Sequence, residues 1–155
     1  SLRIRSEIMV GIIVTGHGGF AAGMEKNVKM LAGADTELVA MDFMEGMTPE
    51  ELSEKLKAQI EADASCSVIL ILTDLIGGTP YNCAATLSVS NPKVRVIGGI
   101  NSALLMEACM CNITGVDPED PDKLVEELIE NARESMGKFV LDIPAAEEMT
   151  DEDGI

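Results

Sequence analysis

Ser67-Val-Ile-Leu-Ile-Leu-Thr73-Asp74-Leu-Ile-Gly77-Gly78-Thr79-Pro80-Tyr81-Asn82 is the stretch that decides the fold. From Ser67 to Thr73 it is the most strongly apolar run in the chain. A run this short, rich in Val, Ile and Leu and without polar alternation, predicts a central parallel strand covered on both faces. Asp74-Leu-Ile-Gly-Gly ends it. Thr79-Pro80 then reads as an N-cap followed by a first helical proline, opening a helix that continues to Val89.

The same strand–glycine–helix order stands at the start of the chain. Residues 9–15 (Met-Val-Gly-Ile-Ile-Val-Thr) predict a buried strand, Gly16-His17-Gly18-Gly19 a tight loop, and Phe20 to Leu31 a helix with Met24, Val28 and Leu31 on one stripe, stopped by Gly33. Between the two units lies a strand from Glu37 to Phe43. A helix to Ala62 follows, opened by Thr48-Pro49 with Glu51 completing a capping box and with Leu52, Leu56 and Ile60 facing inward. Downstream come a strand at Val94–Gly99, a short helix capped by Asn101 and running to Cys111, and an amphipathic helix at Asp122–Gly137 with Leu124, Leu128 and Ile129 inward. Lys138 to Ile143 alternates imperfectly and reads as an antiparallel edge strand.

This order predicts an α/β fold: an open, doubly wound, mainly parallel sheet of four strands with helices on both faces, plus that edge strand. Residues 1–143 form one domain, with 1–8 an extension ahead of the first strand. The tail 144–155 carries five acids and no base, and is expected to be disordered.

Composition narrows the function. The net charge of −16 argues against nucleic acid and against a basic membrane-surface patch. No apolar run reaches the ~18–20 residues of a membrane helix, and no signal-peptide pattern precedes the first strand, so a cytoplasmic protein is expected. Cys66, Cys83, Cys109 and Cys111 form no Cys-x-x-Cys pair and read as reduced core thiols, with no metal site and no cofactor implied.

In open parallel sheets ligands sit beyond the C-terminal strand ends, near the point where strand order reverses. Two segments meet that condition: Gly16–Gly19 and Asp74–Pro80. His17 is the single histidine, and the glycines on either side leave its ring free to be exposed. Asp74, at the equivalent place after another strand, can accept one ring N–H and leave the other nitrogen as the nucleophile. Gly77, Gly78 and Thr79 supply backbone N–H groups, a hydroxyl and a helix N-terminus for an anion. Each has a plainer role as well: an incidental histidine, a turn aspartate, an ordinary N-cap. No Gly-x-Ser-x-Gly elbow, P-loop or Gly-x-Gly-x-x-Gly is present; the third glycine of the last falls on Ala21.

These residues resemble a known family. Val10-Gly-Ile-Ile-Val-Thr-Gly-His17-Gly, Thr73-Asp74-Leu-Ile-Gly-Gly-Thr-Pro-Tyr-Asn82 and Ile97-Gly-Gly-Ile-Asn101 with Leu104-Leu-Met-Glu107 are similar to signatures of the IIA component of bacterial sugar phosphotransferase systems of the mannose/fructose/sorbose type. The likeness spans residues 9–140 and reads as a free-standing IIA. It implies that His17 accepts a phosphoryl group from the phosphocarrier protein HPr, on Nε2, and passes it to the IIB component of the sugar permease. Asp74 would hold the other ring nitrogen, and Gly18, Gly77, Gly78 and Thr79 would cradle the phosphate. The resemblance also implies a homodimer that exchanges its last strand, and contact with the membrane only through the permease. Two readings stay beside it: a phosphocarrier for dihydroxyacetone kinase, which the Gly-Gly-Thr-Pro-Tyr-Asn block disfavours, and a non-catalytic anion-binding module of the same fold.

Overall fold

A computed structural model of the chain describes residues 8–115 and 117–142. The tail from Ile143 and the extension before Ile8 lie outside them. The elements are β1 (Val10–His17), α1 (Phe20–Ala32), β2 (Val39–Phe43), α2 (Pro49–Ala62), β3 (Val68–Thr73), α3 (Thr79–Ser88), β4 (Val94–Gly98), α4 (Ser102–Thr114) and α5 (Pro121–Glu134). The sheet order is β2-β1-β3-β4 and every pairing is parallel. The fold is therefore the expected open α/β sheet.

Strand parity explains why helices cover both faces. Val10, Ile12 and Val14 of β1 and Val68, Leu70 and Leu72 of β3 pack with α1, α4 and α5. Ile13, Ile69 and Ile71 point the other way, into Leu52, Leu56 and Ile60 of α2 and Cys83 and Ala84 of α3. Both central strands are thus dry on both faces, the condition that produces an unbroken apolar run. The α2 capping box forms as expected: the Thr48 hydroxyl accepts the Glu51 N–H at 3.2 Å, and the Glu51 carboxylate accepts the Thr48 N–H at 3.0 Å.

Two expectations on the helices need correction, and the edge strand stands apart from them. In the single chain residues 138–142 pair with no other strand, and Phe139 and Leu141 are about four-fifths exposed; an edge strand exchanged between two copies takes its ladder from the partner, which one chain does not supply. Ile143 lies outside the description. Leu31 does not join the buried stripe of α1 but is exposed, because Ala32 turns toward the core in its place. The helix begun at Asn101 continues to Thr114, where Gly115 stops it in the left-handed region at φ 71°.

That extra turn matters, because it carries Asn112. Its side-chain oxygen accepts the N–H groups of Met9 (3.1 Å) and Val10 (2.9 Å), and its amide donates to the Val10 carbonyl (2.7 Å). These bonds fasten the start of β1 to α4 where the residue is buried. Asn112→Ala leaves those buried backbone groups unpaired, so unfolding stability should fall by about 1–3 kcal/mol, read as a lower urea midpoint at unchanged m-value. An unchanged midpoint would show that the latch contributes nothing.

Candidate functional site

The chain from β1 leads to β2 on one side of the sheet, and the chain from β3 leads to β4 on the other. The order therefore reverses between β1 and β3, and the two segments singled out in the sequence meet there. The β1–β3 ladder ends at Thr15 opposite Thr73. One step beyond it, Asp74 turns toward β1. Its Oδ2 accepts both the His17 backbone N–H (2.9 Å) and the His17 ring at Nδ1 (2.8 Å), while Oδ1 accepts the Leu75 N–H (2.9 Å).

An ionised carboxylate only accepts hydrogen bonds, so the proton of the neutral ring lies on Nδ1 and the Nε2 lone pair is free. Burial pushes the Asp74 carboxyl pKa up. The hydrogen bonds from the His17 backbone and ring, the attraction of the imidazolium and the Leu75 N–H outweigh it, and the net shift is below the usual value. A depressed carboxylate pKa stabilises the fold above its unfolded value. That contribution disappears only as pH falls through the lower folded value, so Asp74 is ionised across the neutral range.

Glycines let the parts approach. A Cβ on Gly16 would lie 2.5 Å from Phe20 Cδ1 and 2.9 Å from Asp74 Cγ, so only glycine lets Asp74 cross β1. A Cβ on Gly78 would lie 2.8 Å from His17 Cε1, which places Gly78 against the ring on its Nε2 side. Gly77, at φ +81°, makes the turn between Asp74 and α3. On β2, Phe43 sets its ring edge-on to the imidazole, with centroids 5.9 Å apart, and its carbonyl accepts the Gly18 N–H at 2.9 Å.

Thr79 is not the N-cap. Gly78 takes that place in extended conformation, and Thr79 and Pro80 occupy the first turn. The Thr79 hydroxyl thus carries no capping bond. Sequence reasoning also missed the work of Asn82: its side-chain amide donates to the Gly77 carbonyl at 3.1 Å, and its backbone N–H to the Gly78 carbonyl at 2.9 Å. The side-chain bond ties the Gly77 turn to α3, and the backbone bond is the first of the helix, with Gly78 as its N-cap. His17, Asp74, Gly78 and Thr79 are brought together at one rim; Gly18, its N–H taken by Phe43, and Gly77 shape the turns beside them.

The His17 side chain is 45% exposed and that of Asp74 only 13%. The residues next in chain to Phe43 and Asp74, namely Met44, Leu75 and Ile76, are exposed apolar side chains. Among the described residues no group of His, Cys, Asp or Glu side chains is placed to hold a metal ion. Nor is any helix long and apolar enough to cross a membrane. Cys66, Cys83 and Cys109 are buried, and burial pushes the Cys109 thiol up to about 12.

Fold and rim together define a doubly wound α/β protein with an oriented, solvent-facing histidine at its switch point. Residues 11–129 match the family described as "PTS system fructose IIA component", and the chain belongs to that family. It is 30% identical to the fructose-specific EIIA component of Bacillus subtilis (strain 168) over 99 residues, 64% of this chain and 68% of that protein. It is 32% identical to the mannose-specific EIIAB component of Escherichia coli (strain K12) over 129 residues, which is 82% of this chain but 38% of that longer protein. Among solved structures, a phosphotransferase system component EIIA from Streptococcus agalactiae superposes with a TM-score of 0.73 at 31% identity, covering 84% of this chain and 97% of the other.

Because His17 is the single histidine, its imidazole nitrogens can be read without overlap. Two-bond 1H–15N spectra at neutral to mildly alkaline pH should show Nδ1–H as the major neutral tautomer. Asp74→Asn should erode that preference. A dominant Nε2–H form in the parent would contradict the geometry.

Proposed function

We propose that this chain is a phosphoryl carrier of a sugar phosphotransferase system, in which His17 Nε2 receives the phosphoryl group from HPr and hands it to a IIB component. The observation that carries the proposal is the Asp74 carboxylate on Nδ1, which leaves the opposite nitrogen nucleophilic and facing Gly78. In the forward step the Nε2 lone pair attacks phosphorus, the donor's N–P bond breaks, and a new N–P bond forms on His17. The ring keeps its Nδ1 proton throughout, and its positive charge is met by Asp74. Thr79 and the open start of α3 offer donors to the phosphoryl oxygens. Release to the next carrier reverses these steps.

Partner contact at the exposed Met44, Leu75 and Ile76 fits a macromolecular donor and acceptor better than an enclosed small substrate. The excess negative charge of the chain suits a basic carrier face and predicts weak, salt-sensitive encounters. A cytoplasmic setting goes with this role.

Incubation with phosphoenolpyruvate, enzyme I and HPr should add one acid-labile phosphoryl group per chain by intact mass, and none to His17→Ala. Labelling of His17→Ala would refute the assignment. Asp74→Asn should keep the fold and slow transfer roughly ten- to hundredfold; a parent-like rate would remove Asp74 from the mechanism.

We further propose that two copies associate through Lys138–Asp142, whose apolar side chains are uncovered in the single chain. An exchanged strand would also protect an open sheet edge. Light scattering after size exclusion should give a dimer for the full chain and a monomer after removal of residues 138–155. A full-length monomer at micromolar concentration would overturn this.

A further inference from the structure

His17 stands on β1 between two neighbouring strands, and each reaches both its backbone and its ring. From the β3 side Asp74 accepts the His17 backbone N–H and the ring at Nδ1. From the β2 side Phe43, the register partner of His17, does the matching work. Its carbonyl accepts the N–H of the following peptide, that of Gly18, at 2.9 Å. Its ring stands against the imidazole with 5.9 Å between centroids and 83° between planes. The Asp74 grip sets the tautomer. The chemistry of transfer does not by itself call for the second grip.

What Asp74 leaves free is the far edge of the ring. Nδ1 adjoins the carbon that joins the imidazole to its side chain, so a bond there holds the near edge. Nε2 lies across the ring and travels furthest when the ring tilts. The torsion that tilts it is broad, without three deep staggered wells. With the side chain 45% exposed, packing closes in on only part of it. Gly78 meets the ring at Cε1 from the β3 side but brings no side chain. On the β2 side the neighbour is the Phe43 ring. It is a firm one, because Phe43 also packs on the core cluster of Ile13, Leu52 and Leu56.

Resting on the phosphohistidine reading above, we propose that Phe43 is a positioning residue, a wall on the β2 side that stops the imidazole tilting away from Gly78 and so holds Nε2 where the phosphoryl group is received and released. Asp74 then decides which nitrogen reacts, and Phe43 decides where that nitrogen stands. Both transfers use the same nitrogen in the same place, so one wall serves receipt and release alike.

Phe43→Leu tests this. It keeps an apolar side chain on the core cluster and removes the ring contact, while the bond from Gly18 survives because its acceptor is a backbone carbonyl. In the unphosphorylated chains, 13C relaxation of the His17 Cε1–H bond reports ring motion on the ps–ns scale, and the tautomer is read beside it. In rapid-quench transfer from phosphorylated HPr, the dependence on HPr concentration separates docking from the transfer step. In Phe43→Leu the Nδ1–H tautomer should persist and the Cε1–H order parameter should fall. The saturating rate should drop about tenfold, with the half-saturating HPr concentration within roughly twofold of the parent. Phe43→Tyr, which keeps the aromatic ring, should restore both order and rate.

A role in core packing alone predicts a lower thermal midpoint with ring order and saturating rate unmoved, and that result overturns the proposal. So does a loss confined to the half-saturating concentration, which would make Phe43 a docking contact, and so does a tyrosine variant as slow as the leucine one. Should Phe43→Leu fail to fold, Phe43→Met decides by the same measures. A parent that takes no phosphoryl group brings down the carrier reading, and ring order then still decides whether Phe43 holds the imidazole. A labelled parent with parental order and rate in the variant sinks this inference alone.

Discussion

Three N–H groups converge on the carboxylate of Asp74: the His17 backbone, the His17 ring and the Leu75 backbone. The rest of the rim depends on that convergence. The first bond extends the tie between β1 and β3 one step past the end of their ladder, where the chains would otherwise diverge into separate loops. The second turns a mobile imidazole into an oriented one. The third folds Leu75 back and starts the turn whose glycines reach the ring. Gly16 is demanded because the carboxylate passes over it, and Phe20 fills the remaining space beside it. On the far side, Gly98 of β4 has no room for a Cβ, which would sit 2.7 Å from Ile76 Cγ1, so the 74–78 loop rests directly on the sheet.

The fold was legible because each signal that specifies it is local. The unbroken apolar runs of β1 and β3, the glycine turns after them and the Thr48-Pro49-Glu51 start of α2 lie within single turns or strands. His17 and Asp74 were legible for a related reason. Both stand directly after buried strands, and adjacent parallel strands bring such positions side by side. What was hidden is long-range. Asn112 is 102 positions from the Val10 backbone it satisfies, and no composition rule points to it. Asp42 on β2 caps α1 at the Ala22 N–H. Thr79 was misplaced because a threonine before proline also describes the N-cap of α2, whereas here the helix starts one residue earlier, with Gly78 as an N-cap that has no side-chain bond. The segment 138–142 carries a strand pattern whose neighbour the single chain does not contain.

The two ends of the sheet divide the labour. At the C-terminal edge the groups are glycines, half-exposed polar side chains and uncovered apolar ones, an arrangement with little packing of its own. At the opposite edge Asn112 clamps the start of β1 to α4. Asn101 adds a second tie, just past the C-terminal end of β4. Its side-chain oxygen caps α4 through Leu104 N–H, and its amide donates to the Ala132 carbonyl and the Ser135 hydroxyl at the end of α5. A rim that must accept and release partners can stay loosely built because stability is held elsewhere.

The convergence on Asp74 also limits what natural variation can do at that position. An amide side chain has one accepting and one donating end. Whichever way an asparagine were turned, its NH2 group would confront an N–H, either that of Leu75 or the pair from His17. A glutamate has the two oxygens but one methylene too many for a site already pressed against Gly16. Neither of the two nearest side chains therefore reproduces the three bonds that Asp74 accepts, for reasons of acceptor count and reach.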